Sequence, residues 1–365
     1  MPNDLSSHDH KDSPATMSRR KDEHITLCCR DDIEAGNPGF DAVELAATAL
    51  PELNLSDVDT SAIFLGRSFA TPLMIAAMTG GVCQAERINE LLAAAAVDAN
   101  IPMGLGSQKI MLKDPHQGLG FLVRKRHPNL FLIGNLSATE FHHGATLDAI
   151  ERVVETLELN AFAFHLNALQ ECIQPEGQRQ FRDVLAFFEQ AAKRLPIPIV
   201  AKEVGAGISG SDFARLAQTG VAAIDVGGSG GTSWARVEAL RATGLQQRLG
   251  MLFADWGIPT ARAIAECAEV RRKSGKKRGP AIIATGGVRS GIDVAKAVAL
   301  GASACGVARP LLKALLQPPD GMSAEESVRG EIRFFVEGLR TAMFLVGAKT
   351  ISDITLKSPV GGARK

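Results

Sequence analysis

The stretch Val221-Ala-Ala-Ile-Asp-Val-Gly-Gly-Ser-Gly-Gly-Thr-Ser-Trp234 runs from an apolar segment without helical period into four glycines within five positions. It reads as a buried strand that opens into a loop. Glycines at 227, 228, 230 and 231 remove the Cβ atoms that keep backbone N–H groups away from a ligand, and Ser229, Thr232 and Ser233 add hydroxyls, so the loop can enclose a phosphate. A second stretch, Ala281-Ile-Ile-Ala-Thr-Gly-Gly287, repeats the pattern, and a third apolar run, Ala304-Cys-Gly-Val-Ala308, ends at Arg309. A lone glycine pair after a strand is often only a tight turn. Consecutive ones with hydroxyl or guanidinium donors point to one phosphate site shared by neighbouring loops.

Working outward, apolar runs of four to six residues alternate with longer amphipathic segments from Pro72 onward, the signature of βα repeats around a parallel sheet. Strands are expected over Leu73–Ala77, Ile101–Leu105, Leu130–Gly134, Ala161–His165, Ile197–Lys202, Val221–Val226, Ala281–Thr285 and Ser303–Val307. Helices are expected over Ala85–Ala99, Leu147–Leu157, Phe181–Arg194, Gly210–Thr219, Thr260–Lys273, Gly291–Leu300 and Ala324–Leu345. Eight such units with short connections predict an α/β fold, a closed (β/α)8 TIM barrel rather than an open sheet, with its site at the C-terminal strand ends. Those ends carry Met78-Thr-Gly-Gly81, Ser107-Gln-Lys109, Asn135, His165-Leu-Asn167, Lys202-Glu203, Asp225 and Thr285, whereas Pro72, Pro102, Pro128, Pro196, Pro198 and Pro280 mark the opposite face. Expected boundaries are a disordered leader at 1–18, one barrel domain with an N-terminal arm at 19–355 and a flexible tail at 356–365.

Composition narrows the function class. Forty basic and forty acidic residues give a formal net charge of zero, so no global field favours nucleic acid or an anionic membrane, and anion recognition must be local. Six cysteines without a CxxC pair support neither a zinc site nor a disulfide framework and fit a reducing cytoplasm. No apolar run is long enough to cross a bilayer. The basic run at 271–279 reads as an exposed loop. Lys202, at the end of an apolar strand, reads either as a partner for a neighbouring acid or as a cation beside a flavin ring.

Taken together, Arg20-Lys-Asp-Glu-His24, Ala77-Met-Thr-Gly-Gly81, Gly104-Leu-Gly-Ser-Gln108, His165-Leu-Asn-Ala-Leu-Gln-Glu171, Lys202-Glu-Val-Gly-Ala-Gly-Ile-Ser209, the Trp234-ended glycine loop, Asp255-Trp-Gly-Ile-Pro-Thr260 and Thr285-Gly-Gly-Val-Arg289 resemble the type 2 isopentenyl diphosphate isomerases, in the family's order. The resemblance implies FMN held by Ala77, Met78, Thr79, Ser107, Asn135, Lys202 and Thr232, with its phosphate at Gly286, Gly287, Ala308 and Arg309. It implies substrate diphosphate at Arg20, Lys21, Ser107 and Lys109, Gln170 beside the reacting carbons, and Glu171 as the Mg2+ ligand. The family more often carries arginine where Lys109 stands, which turns a bidentate phosphate contact into a point charge. The implied reaction converts isopentenyl to dimethylallyl diphosphate by adding a proton at one carbon and removing another two carbons away. Reduced FMN serves as acid and base, NADPH keeps it reduced, and Gln170 and His165 support; the mouth offers few free carboxylates beyond Glu171 and Glu203. Homotetramers or homo-octamers are implied, with the long C-terminal helix as a contact surface.

Other readings are another FMN-dependent barrel oxidoreductase and a non-catalytic flavin-binding protein. A 2-hydroxy acid oxidase needs a strand-end histidine followed by a glycine-rich arginine motif, and no such run follows Asp225 or Thr285. An inosine monophosphate dehydrogenase needs a nucleophilic cysteine in the glycine loop, and residues 229–233 contain none. If Lys202 acts on FMN rather than as a structural ion pair, its replacement by alanine is expected to leave folding intact.

Overall fold

The computed structural model describes residues 14–80, 83–112, 118–275 and 279–357. Its elements, in chain order, begin with α1 (Pro14–Cys28), the hairpin strands β1 (Ala62–Phe64) and β2 (Arg67–Phe69), β3 (Leu73–Ile75), α2 (Cys83–Asp98), β4 (Met103–Gly104), β5 (Leu132–Ser137) and α3 (Leu147–Leu157). They continue through β6 (Ala161–Leu166), α4 (Ala168–Ile173), α5 (Val184–Arg194), β7 (Ile199–Glu203), α6 (Gly210–Leu216) and β8 (Ala223–Asp225). The last are α7 (Trp234–Arg241), α8 (Gly244–Leu252), α9 (Thr260–Lys273), β9 (Ala281–Ala284), α10 (Gly291–Leu300), β10 (Ala304–Val307), α11 (Arg309–Leu316) and α12 (Ala324–Leu345). Strands β3 to β10 pair in sequence order, and β10 closes on β3. This is the expected (β/α)8 barrel.

Strand pleating sorts the side chains. Phe162 and Phe164 of β6 join the outer core beneath the helices, while Ala161 and Ala163 join an inner cluster with Ile133, Val200, Ala223, Ile283 and Ala304. Phe64 and Phe69 of the β1–β2 hairpin belong to that inner cluster too, so the hairpin packs on the barrel interior. Continuing the inward parity by two residues brings Asn135, His165, Lys202, Asp225 and Thr285 to the next layer up. The strand register pairs His165 with Lys202 and Lys202 with Asp225, while Asn135, one step lower, pairs with Ala163.

Several boundaries differ from expectation. α1 starts at Pro14, inside the stretch assigned to the leader, while residues 1–13 and most of the tail, 358–365, lie outside the described residues. The 271–279 run is helical to Lys273, and 276–278 lie outside the described residues. Among the described residues, no helix is long and apolar enough to cross a membrane.

Candidate active site

A cavity of about 310 Å³ occupies the C-terminal mouth of the barrel, and α1 contributes Arg20, Lys21, His24, Ile25 and Cys28 to its wall. Every residue assigned above to cofactor, substrate or metal lines it, from Ala77, Met78 and Thr79 on one wall to Ala308 and Arg309 on the other.

The floor is a chain of polar contacts. Lys202 Nζ lies 2.7 Å from Asp225 Oδ2, with side chains only 12% and 5% exposed, and it also donates to the Glu203 carbonyl at 3.0 Å. An ammonium has three N–H donors, so one remains without a protein partner among these contacts. The other Asp225 oxygen accepts from Thr285 Oγ1 and, at 3.2 Å, from Gly227 N–H. The two readings of Lys202 are thus not exclusive: it lines the cavity and is half of a buried ion pair, so an alanine there would leave Asp225 without that partner. Beside it, His165 Nδ1 lies 2.7 Å from Asn135 Oδ1. Burial, with help from the Lys202 and Lys109 charges, pushes the imidazole down to about 3, so His165 is neutral at physiological pH.

Glycines in the phosphate cradle do a job beyond clearing space for a ligand. A Cβ on Gly286, where φ is +102°, would stand 2.0 Å from Gly228 O, and one on Gly231 would stand 2.5 Å from Gly287 N. The two glycine loops therefore pack backbone to backbone. The N-terminus of α11 starts at Arg309 beside them, placing a helix end with open N–H groups at the cradle. Arg309 is also tied to the arm, donating to the Cys28 carbonyl at 3.1 Å and the Arg30 carbonyl at 2.7 Å. Thr79 Oγ1 is buried with no protein partner, as is Asn167 Oδ1, and both side chains line the cavity. A glycine cradle, a helix N-terminus, an orphaned hydroxyl and a directed ammonium together fit a phosphorylated flavin.

On the arm side, Lys21 Nζ bonds to the Gly80 carbonyl and, at 3.3 Å, to the Ser107 carbonyl. Burial, then the nearby Arg20 and Lys109 charges, lowers its ammonium to about 8. Gln170 is clamped: Asn167 donates to its oxygen at 3.2 Å, and its amide donates to Glu238 Oε1 at 2.9 Å. The same Glu238 oxygen lies 3.0 Å from His24 Nε2, and the His24 ring meets Trp234 edge-on at 5.1 Å. Burial pushes the Glu238 carboxyl up, but His24, Gln170 and Arg241 outweigh it and hold it below the usual range.

Neither carboxylate that the sequence offered is free. Glu203 Oε2 accepts from the N–H groups of Val204, Gly205, Ala206 and Gly207 and anchors that loop, while burial pushes its carboxyl up. Glu171 accepts from Asn167 at 2.8 Å and from Gln178 N–H at 2.5 Å, and burial raises its carboxyl too. The sequence reading missed Glu34, Glu140, Glu176, Gln178, Glu238 and Arg241, which lie between motifs and meet the site only through the fold. Glu238 had a local signal in its four-residue spacing from Trp234.

Curated relatives match nearly the whole chain. An isopentenyl-diphosphate delta-isomerase of Thermococcus kodakarensis is 42% identical, covering 92% of this chain and 89% of its own, and one of Nostoc sp. is 39% identical over 94% and 95%. The family model described as FMN-dependent dehydrogenase matches residues 155–358. The chain belongs to the type 2 isopentenyl-diphosphate delta-isomerase family. It is therefore an isomerase, on a barrel shared with flavin oxidases. Mandelate oxidase with (S)-2-phenylpropionate superposes with a TM-score of 0.61 at 21% identity, over 94% of this chain and 98% of that one, a likeness of fold alone.

Proposed function

We propose that the enzyme interconverts isopentenyl and dimethylallyl diphosphate in isoprenoid biosynthesis, with FMN, Mg2+ and NADPH as the source of reducing equivalents. The observation that carries this reading is a two-sided cavity: a glycine cradle and helix N-terminus for one phosphate, and the cations Arg20, Lys21 and Lys109 across the mouth for a second, doubly phosphorylated ligand. FMN, when bound in reduced form, would supply the proton donor and acceptor for the double-bond shift.

The chain's own residues bind, orient and shield. Arg20, Lys21 and Lys109 anchor the diphosphate, the Ser107 backbone fixes Lys21, and Glu171 would hold Mg2+, which would neutralise diphosphate charge. Gln170, held from both ends, presents a fixed amide to the carbon skeleton, and neutral His165 lines the floor without adding a cation there. α1, with His24 against Trp234, covers the mouth and excludes water. Ala77, Met78, Thr79, Asn135, Lys202, Thr232, Gly286, Gly287, Ala308 and Arg309 hold FMN. The enzyme works in the cytoplasm as a homotetramer or homo-octamer, a reading supported by Phe334 and Leu345, exposed on α12.

The test is anaerobic incubation of the FMN-loaded, reduced enzyme with isopentenyl diphosphate and Mg2+. Dimethylallyl diphosphate is the expected product, formed without net consumption of reductant. A reduced holoenzyme that forms none overturns the proposal.

A further inference from the structure

The cations assigned to diphosphate already have carboxylate partners. Arg20 Nη1 lies 3.3 Å from Glu176 Oε1, the oxygen that also takes Arg241 Nη2 at 3.2 Å. Lys109 Nζ lies 3.0 Å from Glu140 Oε1, and the Glu140 side chain is only 7% exposed. With its amide turned so that both ends find partners, Gln178 donates to Glu140 at 3.0 Å and accepts from Lys109 at 2.8 Å. Both carboxylates line the cavity, and neither belongs to the residues assigned above to substrate, cofactor or metal.

A site built only to attract anions gains nothing from two acids at its rim, because each entering anion must displace a carboxylate or sit beside it. That penalty is not the same for every anion. One with a single phosphate gains from one cation about what the displaced carboxylate loses. A diphosphate spreads more charge over two phosphates and reaches cations on separate elements, Arg20 on α1 and Lys109 after β4, so it gains more than it displaces. Discrimination of this kind works by penalising the wrong ligand.

We propose that Glu140 and Glu176 are specificity-determining residues, internal competitors that hold Lys109 and Arg20 in place and set a charge threshold that diphosphates pass and monophosphates do not. This rests on the diphosphate reading of the mouth.

The test is calorimetric titration of FMN-loaded wild type, Glu140→Gln and Glu176→Gln with inorganic phosphate and with inorganic pyrophosphate, each with and without Mg2+. Flavin absorbance reports folding, and either variant suffices if the other loses FMN. Phosphate affinity is expected to rise about fivefold in each variant, the size of a partly exposed ion pair, while pyrophosphate affinity rises less, so selectivity narrows. An unchanged pyrophosphate-to-phosphate ratio overturns the inference alone. Loss of pyrophosphate binding only when Mg2+ is present makes these acids metal ligands and overturns it as well. A wild type that binds neither anion removes the diphosphate site and the inference together.

Discussion

Replacing Lys202 with methionine keeps the length of the side chain and removes its charge, leaving Asp225 in a layer where its side chain is 5% exposed. Deleting one partner of a buried ion pair costs about 3–5 kcal/mol. The lower end is expected here, because Thr285 Oγ1 and Gly227 N–H still donate to the orphaned carboxylate. For a chain of this size that lowers the melting temperature by roughly 4 °C. The double variant Lys202→Met/Asp225→Asn removes both charges, and most of the lost stability should return, with a coupling of about 2–3 kcal/mol across the cycle. Flavin binding separates the two roles of the lysine. Both variants lack the ammonium donor, whose charge-assisted bond of roughly 1.5–3 kcal/mol implies at least a tenfold loss of reduced FMN affinity and a more negative potential. Thermal denaturation of the flavin-free proteins and redox titration of the loaded ones make the measurements. A double variant as unstable as the single one refutes the ion-pair argument, and a double variant that binds reduced FMN like wild type refutes the flavin role.

Lys21, lowered to about 8 against 10.5 for a free lysine, loses its charge above pH 8 and has to take up a proton to meet a diphosphate. Pyrophosphate affinity should therefore fall as pH rises from about 8 toward 10.5 and show proton uptake in buffers of different ionisation enthalpy, both absent in Lys21→Met. Gly286→Ala, whose Cβ would meet Gly228 O at 2.0 Å, should abolish FMN retention, whereas Gly244→Ala, with nothing within 4 Å, should cost only the backbone strain of a positive φ and keep its flavin. Equal flavin content in the two would sink the loop-packing argument. Glu171→Gln should leave flavin absorbance intact while abolishing the dependence of turnover on Mg2+ concentration, and unchanged activity with unchanged Mg2+ dependence removes that assignment.

Local pattern determined the barrel and the wall of its mouth. Apolar runs of four to six residues, several with proline at one end and all with polar residues or glycine at the other, located the eight strands, and α3, α9, α10 and α12 have the bounds that amphipathic periodicity predicts. That works because a strand buried between a barrel core and a layer of helices must be apolar, while its C-terminal end carries the chemistry. Short helices escaped: α4 and α7 lie within stretches whose motifs read as ligand chemistry, and α7 buries Ala235, Val237, Glu238 and Ala239 without an exposed face of its own. Tertiary structure alone decided the electrostatics. Lys202 meets Asp225 across 23 positions and Arg20 meets Glu176 across 156, and nothing near either residue in the chain specifies its partner. Beyond its helical spacing from Trp234, nothing local in the sequence marks Glu238 as buried. Arg241 is its neighbour one turn along α7, but only closure of the barrel and docking of α1 bring Gln170 and His24 against it, because the fall in dielectric that turns such contacts into strong constraints comes from the whole fold.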